Sequence, residues 1–477
     1  MHKNYVNGQF IDAKGDDRID VINPALGTTI SAIPDSSNAC VDAAVAAARS
    51  AQRAWGRRTA IERAGHLRRI AAKIREKTNV IAHAISEEQG KLLSLAQVEV
   101  TFTADYLDYM AEWARRIEGE IIPSDRPGEN IFLFRQAIGV VGGILPWNFP
   151  FFLIARKMAP ALITGNTIVI KPSEETPNNA ALFTELLAQT DLPAGVFNLV
   201  YGRGKTVGAA LSGHPDIGLI SFTGSVDTGT AIMTAAARNI TKVNLELGGK
   251  APAIVMNDAD LDLAIDAIKA SRIINSGQVC NCAERIYVQR GIADEFSARF
   301  TQIMAQTTYG DPLGKQPADM GPLINLAAAK KVQAMVERAV AAGAQVMTGG
   351  KHVEQNGGHY FEPTVLANCR QDMEIMQKEI FGPVAPIHII DDIEEAIDKA
   401  NDSDYGLTSS IYTADLNTAM RACNEIRAGE TYVNRNNFEA MQGFHAGANR
   451  SGIGGADGKH GVYEHTQTHV VYIQNKV

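Results

Sequence analysis

"GVVGGILPW" (139–147) is a short β-branched run that ends in Pro and Trp, and "NTIVIKPSE" (166–174) repeats it after a helical segment that begins near Phe152. Neither run alternates apolar with polar residues, which is the pattern of a strand covered by helices on both faces. The alternation continues with a helix from Asn178, "GVFNLVYG" (195–202), a short helix near Val207 and "GLISFTGS" (218–225). Repeated strand–helix–strand units predict a parallel sheet. A second series starts at "APAIVMN" (251–257) and a helix over 261–275. It continues through "ERIYVQR" (284–290), "YFEPTVLAN" (360–368), "FGPVAPIHII" (381–390), "LTSSIYT" (407–413) and "ETYVNR" (430–435), with helical stretches such as 327–342 between them. The predicted fold is α/β, two parallel-sheet domains in tandem with a cleft where they meet.

Two segments belong to neither series. "IIPSDRPGENIFLFRQA" (121–137) reads as a hairpin, and "HTQTHVVYIQNKV" (465–477) as an apolar strand with no sequence-adjacent partner. An unpaired apolar edge invites aggregation, so the two are expected to join in an oligomer contact. The residues before this hairpin show helical periodicity at 43–52, 62–77 and 98–116 and are expected to pack on the first sheet.

The chain has 477 residues, 45% apolar and 21% charged, enough for two or three cores. Its net charge of −8 is spread among scattered Lys and Arg rather than gathered into a basic stripe, which excludes nucleic acid and acidic membranes as natural partners. The polar amino terminus and the lack of any apolar run near ~20 residues point to the cytoplasm. The five cysteines, an odd number, argue against a disulfide framework.

Two of those cysteines stand together in "NSGQVCNC" (275–282), just past the junction of the two series. A metal would need further Cys or His ligands, and the neighbourhood offers none; no metal is expected. A disulfide between positions i and i+2 is geometrically awkward. Buried packing is the ordinary role of a thiol, but the Gly-Gln turn before Cys280 and the polar Asn281 and Glu284 favour a nucleophile. A nucleophile needs an oxyanion donor and a base. "LPWNFP" (145–150) offers Asn148, an amide at a strand end, and "NLELGGK" (244–250) offers Glu246, followed by glycines that let backbone approach a ligand. "FTGSVDTG" (222–229) opens a helix whose N–H groups can meet a pyrophosphate. Lys171 and Glu174 follow a strand and can hold the ribose hydroxyls of an adenosine, the acid repelling a 2′-phosphate, which predicts NAD rather than NADP.

"LPWNFP", "IVIKPSE", "FTGS", "LELGGK", "GQVC" and "EIFGPV" occur in the order, and over nearly the whole length, of the motif set of the aldehyde dehydrogenase superfamily, which this chain resembles. The resemblance implies Rossmann-like domains: an NAD-binding domain from 1–118 and 138–248, a catalytic domain from 249–450, and an oligomerisation domain from 119–137 and 460–477 of a dimer or tetramer. It implies Cys280 as nucleophile, Glu246 as general base and Asn148 as oxyanion donor. It further implies cofactor contacts from Trp147, Lys171, Glu174, Ser225, Glu379 and Phe381. Cys282 matches no functional position of the family.

Many relatives line the substrate tunnel with aromatics, and this chain keeps Phe149. Elsewhere polar residues replace them: Arg156, Glu439 and His445, with Asn281 beside the nucleophile. Such groups are costly to desolvate without a polar ligand. The surroundings resemble the branch of the family that oxidises lactaldehyde and glycolaldehyde, so a small hydroxyaldehyde is the expected substrate. A semialdehyde whose carboxylate meets Arg156 is the alternative, disfavoured by the negative charge of Glu439. A catalytically retired binding protein is a third reading, opposed by the intact Cys280, Glu246 and Asn148. "GANRSGIGG" (447–455) departs from the family loop, with Asn449 where a lysine is usual.

Overall fold

The structure, a computed structural model, describes residues 1–13 and 17–476. Lys14, Gly15 and Asp16 of the amino-terminal segment and Val477 of the expected terminal strand lie outside the described residues.

The first series builds an eight-stranded sheet in the order Gln9–Ile11, Asn4–Val6, Phe197–Leu199, Thr167–Lys171, Val140–Ile144, Leu219–Thr223, Lys242–Glu246, Gly452–Ile453. The five strands from Phe197–Leu199 to Lys242–Glu246 are parallel. Val140–Ile144 and Thr167–Lys171 are buried at every residue, which is why neither alternates. From Val140–Ile144 the chain winds first to one side and then crosses to the other, so the carboxyl end of that strand is a topological switch point, where open α/β sheets bind ligands. Asn148 follows directly.

A seven-stranded sheet carries the second series, in the order Gln345–Thr348, Thr364–Ala367, Val384–Ile390, Ala283–Gln289, Ala251–Val255, Thr408–Tyr412, Glu430–Val433. Only Gln345–Thr348 is antiparallel to its neighbour. The last parallel strand of the first sheet, Lys242–Glu246, passes into Ala251–Val255 of the second through four residues, Leu247 to Lys250.

In a third sheet the terminal strand Thr466–Gln474 pairs antiparallel with Glu129–Ala137, which also pairs with Glu120–Ile122. Ile121, Phe134, Val470, Tyr472 and Ile473 remain exposed on it.

Several expected elements are redrawn. "YFEPTVLAN" is two strands rather than one: Gly358–Phe361 pairs with His352–Gln355, and Thr364–Ala367 enters the seven-stranded sheet. Pro363 lies between them, lacking an N–H for the ladder and restricting the residue before it. The helix expected from Phe152 begins at Pro150, where a missing N–H costs nothing. The segment before the first helix holds four short strands, of which Arg18–Ile22 and Thr29–Pro34 form a separate hairpin.

Candidate active site

The helix Leu261–Ile273 stops short of the expected 275 because Asn275 and Ser276 take left-handed backbone, with φ of 47° and 57°. Gly277 follows at φ 74°. Such conformations cost non-glycine residues of order 1–3 kcal/mol each and persist where the surroundings over-determine them. The surroundings here are dense. Gln278 donates from Nε2 to Asn275 O at 3.0 Å and accepts at Oε1 from Ile324 N at 2.9 Å. Arg272 donates to Gly277 O at 3.0 Å and to Gly382 O at 2.7 Å. The turn delivers Cys280, partly exposed, into the cleft, while Cys282 is buried and its thiol is pushed up to about 12 by desolvation. The two thiols of "CNC" therefore have opposite environments, one reaching the cleft and one shut in the interior.

Asn148 is buried opposite that loop and donates from Nδ2 to Gln278 O at 3.0 Å, leaving its second amide hydrogen for a ligand. Its own carbonyl accepts from Lys91 Nζ at 2.7 Å. Lys91 pairs with Glu99 at 2.6 Å, and the other Glu99 oxygen accepts from Phe151 N and Phe152 N at 2.9 and 3.1 Å. Glu99 thus supplies the cap that the helix Pro150–Ile163 lacks.

Glu246 ends the strand Lys242–Glu246 and is buried. Its Oε1 accepts from Lys157 Nζ at 2.6 Å, Arg156 Nη1 lies 3.6 Å from Oε2, and no donor reaches Oε2. Burial opposes its charge, but Lys157, Arg156 and His445 outweigh it and bring the carboxyl down to about 2. Arg156 gives Nε (3.1 Å) and Nη2 to Asp457, and its Nη1 lies 3.6 Å from Glu439. Asn281 Nδ2 donates to Glu439 Oε2 at 2.7 Å. His445 Nδ1 lies 3.3 Å from Glu430 Oε1.

These residues enclose a cavity of about 90 Å³. Cys280, Glu246, Asn148, Phe149, Arg156, Asn281, Glu439 and His445 all line it, and Leu95, Val98, Phe102, Phe152 and Phe438 form an apolar wall. Arg156 is therefore paired before any ligand arrives, with two of its five N–H groups given to Asp457.

On the other side of the cleft, Lys171 Nζ is 2.7 Å from Glu174 Oε2, and Glu174 Oε1 accepts from Gly204 N at 3.2 Å. Burial acts against the Glu174 charge, and Lys171 more than compensates, holding the carboxyl below its usual range. Ser225 caps the helix Val226–Ala236, its Oγ accepting from Thr228 N at 3.3 Å. Gly204, Ser212 and Thr228 border a cavity of about 450 Å³ next to that helix start. Trp147 and Phe381 meet edge to face with ring centroids 5.6 Å apart. Glu379 accepts from Gly249 N at 3.0 Å, and burial, then Glu284, raises its carboxyl to about 7. It lies so close to Gly248 that a Cβ there would come within 2.4 Å of Oε2.

The pattern of the aldehyde dehydrogenase family matches residues 10–471. The chain belongs to that family. Among aldehyde dehydrogenases, the lactaldehyde dehydrogenase of Escherichia coli (strain K12) is 61% identical over 475 residues, 100% of this chain and 99% of that protein. A crystal structure of lactaldehyde dehydrogenase from Escherichia coli matches with a TM-score of 0.98 over 99% of each chain. A 3,6-anhydro-L-galactose dehydrogenase solved in complex with NAP matches at 0.96 with 41% identity, over 99% of this chain and 100% of that one. Betaine aldehyde dehydrogenase from Staphylococcus aureus in complex with NAD+ matches at 0.97 with 34% identity, over 99% and 95%.

Sequence reading of this aldehyde dehydrogenase misses Lys157, Asp457, Glu430, Lys91 and Glu99. Asp457 carries one local sign, a glycine-rich context, "GGADG" (454–458), that fits its positive φ of 70°. The others are single charges in apolar or helical stretches and carry no local signal.

Proposed function

We propose that this aldehyde dehydrogenase oxidises a small 2-hydroxyaldehyde, of the lactaldehyde and glycolaldehyde class, to the carboxylic acid with NAD. The observation that carries the reading is the cavity. At about 90 Å³ it suits a few heavy atoms, and beside Cys280 it offers Arg156 Nη1, Glu439, Asn281 and His445 to a hydroxyl. A site with polar groups of this kind rejects the analogue that leaves them unpaired. The likeness to lactaldehyde dehydrogenase at 61% identity supports the same reading.

The Cys280 thiolate adds to the aldehyde carbon, and the oxyanion takes hydrogen bonds from Asn148 Nδ2 and the backbone N–H of Cys280. Bound NAD⁺ supplies the hydride acceptor. Glu174 beside Lys171 suits the adenosine ribose, the helix start at Ser225 the pyrophosphate, and Trp147, Glu379 and Phe381 the nicotinamide end. The Glu379 carboxyl near 7 can donate to or accept from a ribose hydroxyl. The acid at position 174 supports NAD over NADP. Hydrolysis of the Cys280 thioester requires a base, and Glu246 Oε2, which has no donor, is the oxygen available to a water. Lys157 must release the carboxylate for it to regain basicity.

A carboxylate-bearing semialdehyde fits poorly, because Asp457 already holds Arg156 and the carboxylates of Glu246 and Glu439 stand beside it. The exposed apolar side chains of the three-stranded sheet support an assembly of two or four copies. Five free cysteines support a reducing compartment, the cytoplasm.

NADH formation with L-lactaldehyde, glycolaldehyde, propanal and succinic semialdehyde tests the reading. The hydroxyaldehydes are expected to lead in kcat/KM with NAD⁺. A lead for succinic semialdehyde would overturn it.

A further inference from the structure

An oxyanion donor has to point at an oxygen that carries its charge only during the reaction. The Asn148 amide is joined to its backbone through two rotatable bonds, so its aim depends on what holds it. Its Nδ2 donates to Gln278 O at 3.0 Å, and its carbonyl accepts from Lys91 Nζ at 2.7 Å and from Asn275 Nδ2 at 3.3 Å. Gln278 and Asn275 belong to the Cys280 turn itself. Lys91 comes from elsewhere, the link between the helices Thr78–Gln89 and Leu93–Glu112.

The Lys91 side chain is fully buried, with its ammonium 2.6 Å from Glu99 and 3.8 Å from the centroid of the Phe149 ring. Its backbone is placed as firmly. Gly90 before it has φ of 83°, and a Cβ there would come within 2.8 Å of Pro322 and 2.9 Å of Pro24. The carbonyls of Gly321 and Pro322 accept from Ser276 Oγ at 2.7 Å and Gln278 Nε2 at 3.3 Å, again in the Cys280 turn. The contacts close a circuit from the turn to Pro322, Gly90, Lys91 and Asn148, and back to the turn.

A buried ion pair adds little net stability, because desolvation of the two charges offsets their attraction. Glu99 borders the cavity, but its oxygens are taken by Lys91 and by the N–H groups of Phe151 and Phe152, so it has little to offer a substrate. Lys91 is outside the cavity lining. What the pair reaches is the backbone on either side of Phe149: the carbonyl of Asn148 and the opening N–H groups of the helix Pro150–Ile163.

We propose that Lys91, held by Glu99, is the positioning residue that aims the Asn148 amide at the oxyanion. When the Cys280 thiolate forms the C–S bond, the π pair of the aldehyde C=O moves onto oxygen, and a donor already in place needs no reorganisation at that moment. Without Lys91 the side chain of Asn148 keeps Gln278 as a partner, but its main chain is free to tilt. A misplacement near 1 Å costs up to ~10²-fold.

The proposal rests on Asn148 being the oxyanion donor, which Asn148→Ala tests by itself. Single-turnover NADH formation, with full-length enzyme in excess over aldehyde and NAD⁺ saturating, is expected to slow ~10²–10³-fold in that variant. A wild-type rate would strike both the assignment and the proposal. Lys91→Met is expected to slow the same step at least ~10-fold, and equally for lactaldehyde and propanal, because the oxyanion is common to every aldehyde. In the Asn148→Ala background the same change should add less than ~2-fold, since the group it positions is gone. Alkylation of Cys280 by iodoacetamide forms no oxyanion and should keep its wild-type rate. An unchanged single-turnover rate, a loss confined to lactaldehyde, a loss that multiplies in full with that of Asn148→Ala, or an equal fall in alkylation would overturn the proposal. If Lys91→Met does not fold, Glu99→Gln decides, since its amide oxygen can still accept from the helix N–H groups. A slowing of at least ~3-fold that disappears in the Asn148→Ala background supports the proposal, and no slowing removes it.

Discussion

Two buried ionic clusters flank the Cys280 loop, and they are completed differently. Behind the loop, Glu284 is filled: Oε2 takes Lys250 Nζ and Ile380 N, both at 2.8 Å, and Oε1 takes Phe381 N at 2.9 Å. Arg272, 3.5 Å from the same carboxylate, gives Nη1 to Ala283 O and Nη2 to the carbonyls of Gly277 and Gly382, while its Nε has no partner. In front of the loop, Glu246 Oε2 has no donor, and Arg156 Nη1 stands 3.6 Å from two carboxylates without a close contact to either. Buried polar groups are normally satisfied. The cluster whose carboxylate is filled therefore reads as scaffold, holding the Cys280 turn against the Phe381 loop, and the one whose carboxylate oxygen is open, at Glu246, as the side that faces the cavity.

The largest effect that would break this contrast is at the nucleophile. Cys280→Ala is expected to lower kcat more than ~10³-fold without shifting the denaturation midpoint, since the side chain is used for chemistry. Glu284→Ala should do the reverse, destabilising by about 3–5 kcal/mol because it strands Lys250 and Arg272 in the interior; urea unfolding measures it. A variant as stable as wild type would show the rear cluster to be no scaffold. Glu246→Gln is expected to lower turnover ~10²–10⁴-fold while leaving a single stoichiometric burst of NADH, because only thioester hydrolysis needs the base.

Glu246 also sharpens the contrast through pH. Its folded value, about 2, is below its ordinary 4.5, so the ionised carboxylate adds stability above about pH 5 that is lost as pH falls toward 2. The stability gap between wild type and Glu246→Gln, followed by thermal unfolding, should shrink below pH 4.5. The smallest effect is expected at Glu439→Gln, which should raise KM for lactaldehyde about tenfold, ~1.4 kcal/mol, and leave propanal nearly unchanged. Equal changes for both would remove the hydroxyl-recognition argument.

How much was legible in the sequence follows from the range of the interactions. The inner strands were readable because burial on both faces leaves uniform apolar runs, as at Thr167–Lys171. Asn148 and Glu246 were readable because they end such strands. The partner of Arg156 was not, since Asp457 is 301 positions away and nothing local marks the pair. Lys157 was hidden for the same reason: its partner Glu246 is 89 positions away. The amino-terminal strands, three to six residues each, are too short to set a period.

The late position of Asp457 has a consequence for how the enzyme is made. Arg156 lies in an early helix, yet its counter-charge, the His445 ring and the strand Thr466–Gln474 that pairs with Glu129–Ala137 all come from the last stretch of chain. During synthesis from the amino terminus, the cofactor-side sheet can gather most of its strands while the substrate pocket still holds an uncompensated arginine. An incompletely translated chain therefore lacks a working pocket and carries an open strand edge. The pocket is complete only once the stretch carrying His445 and Asp457 has joined it.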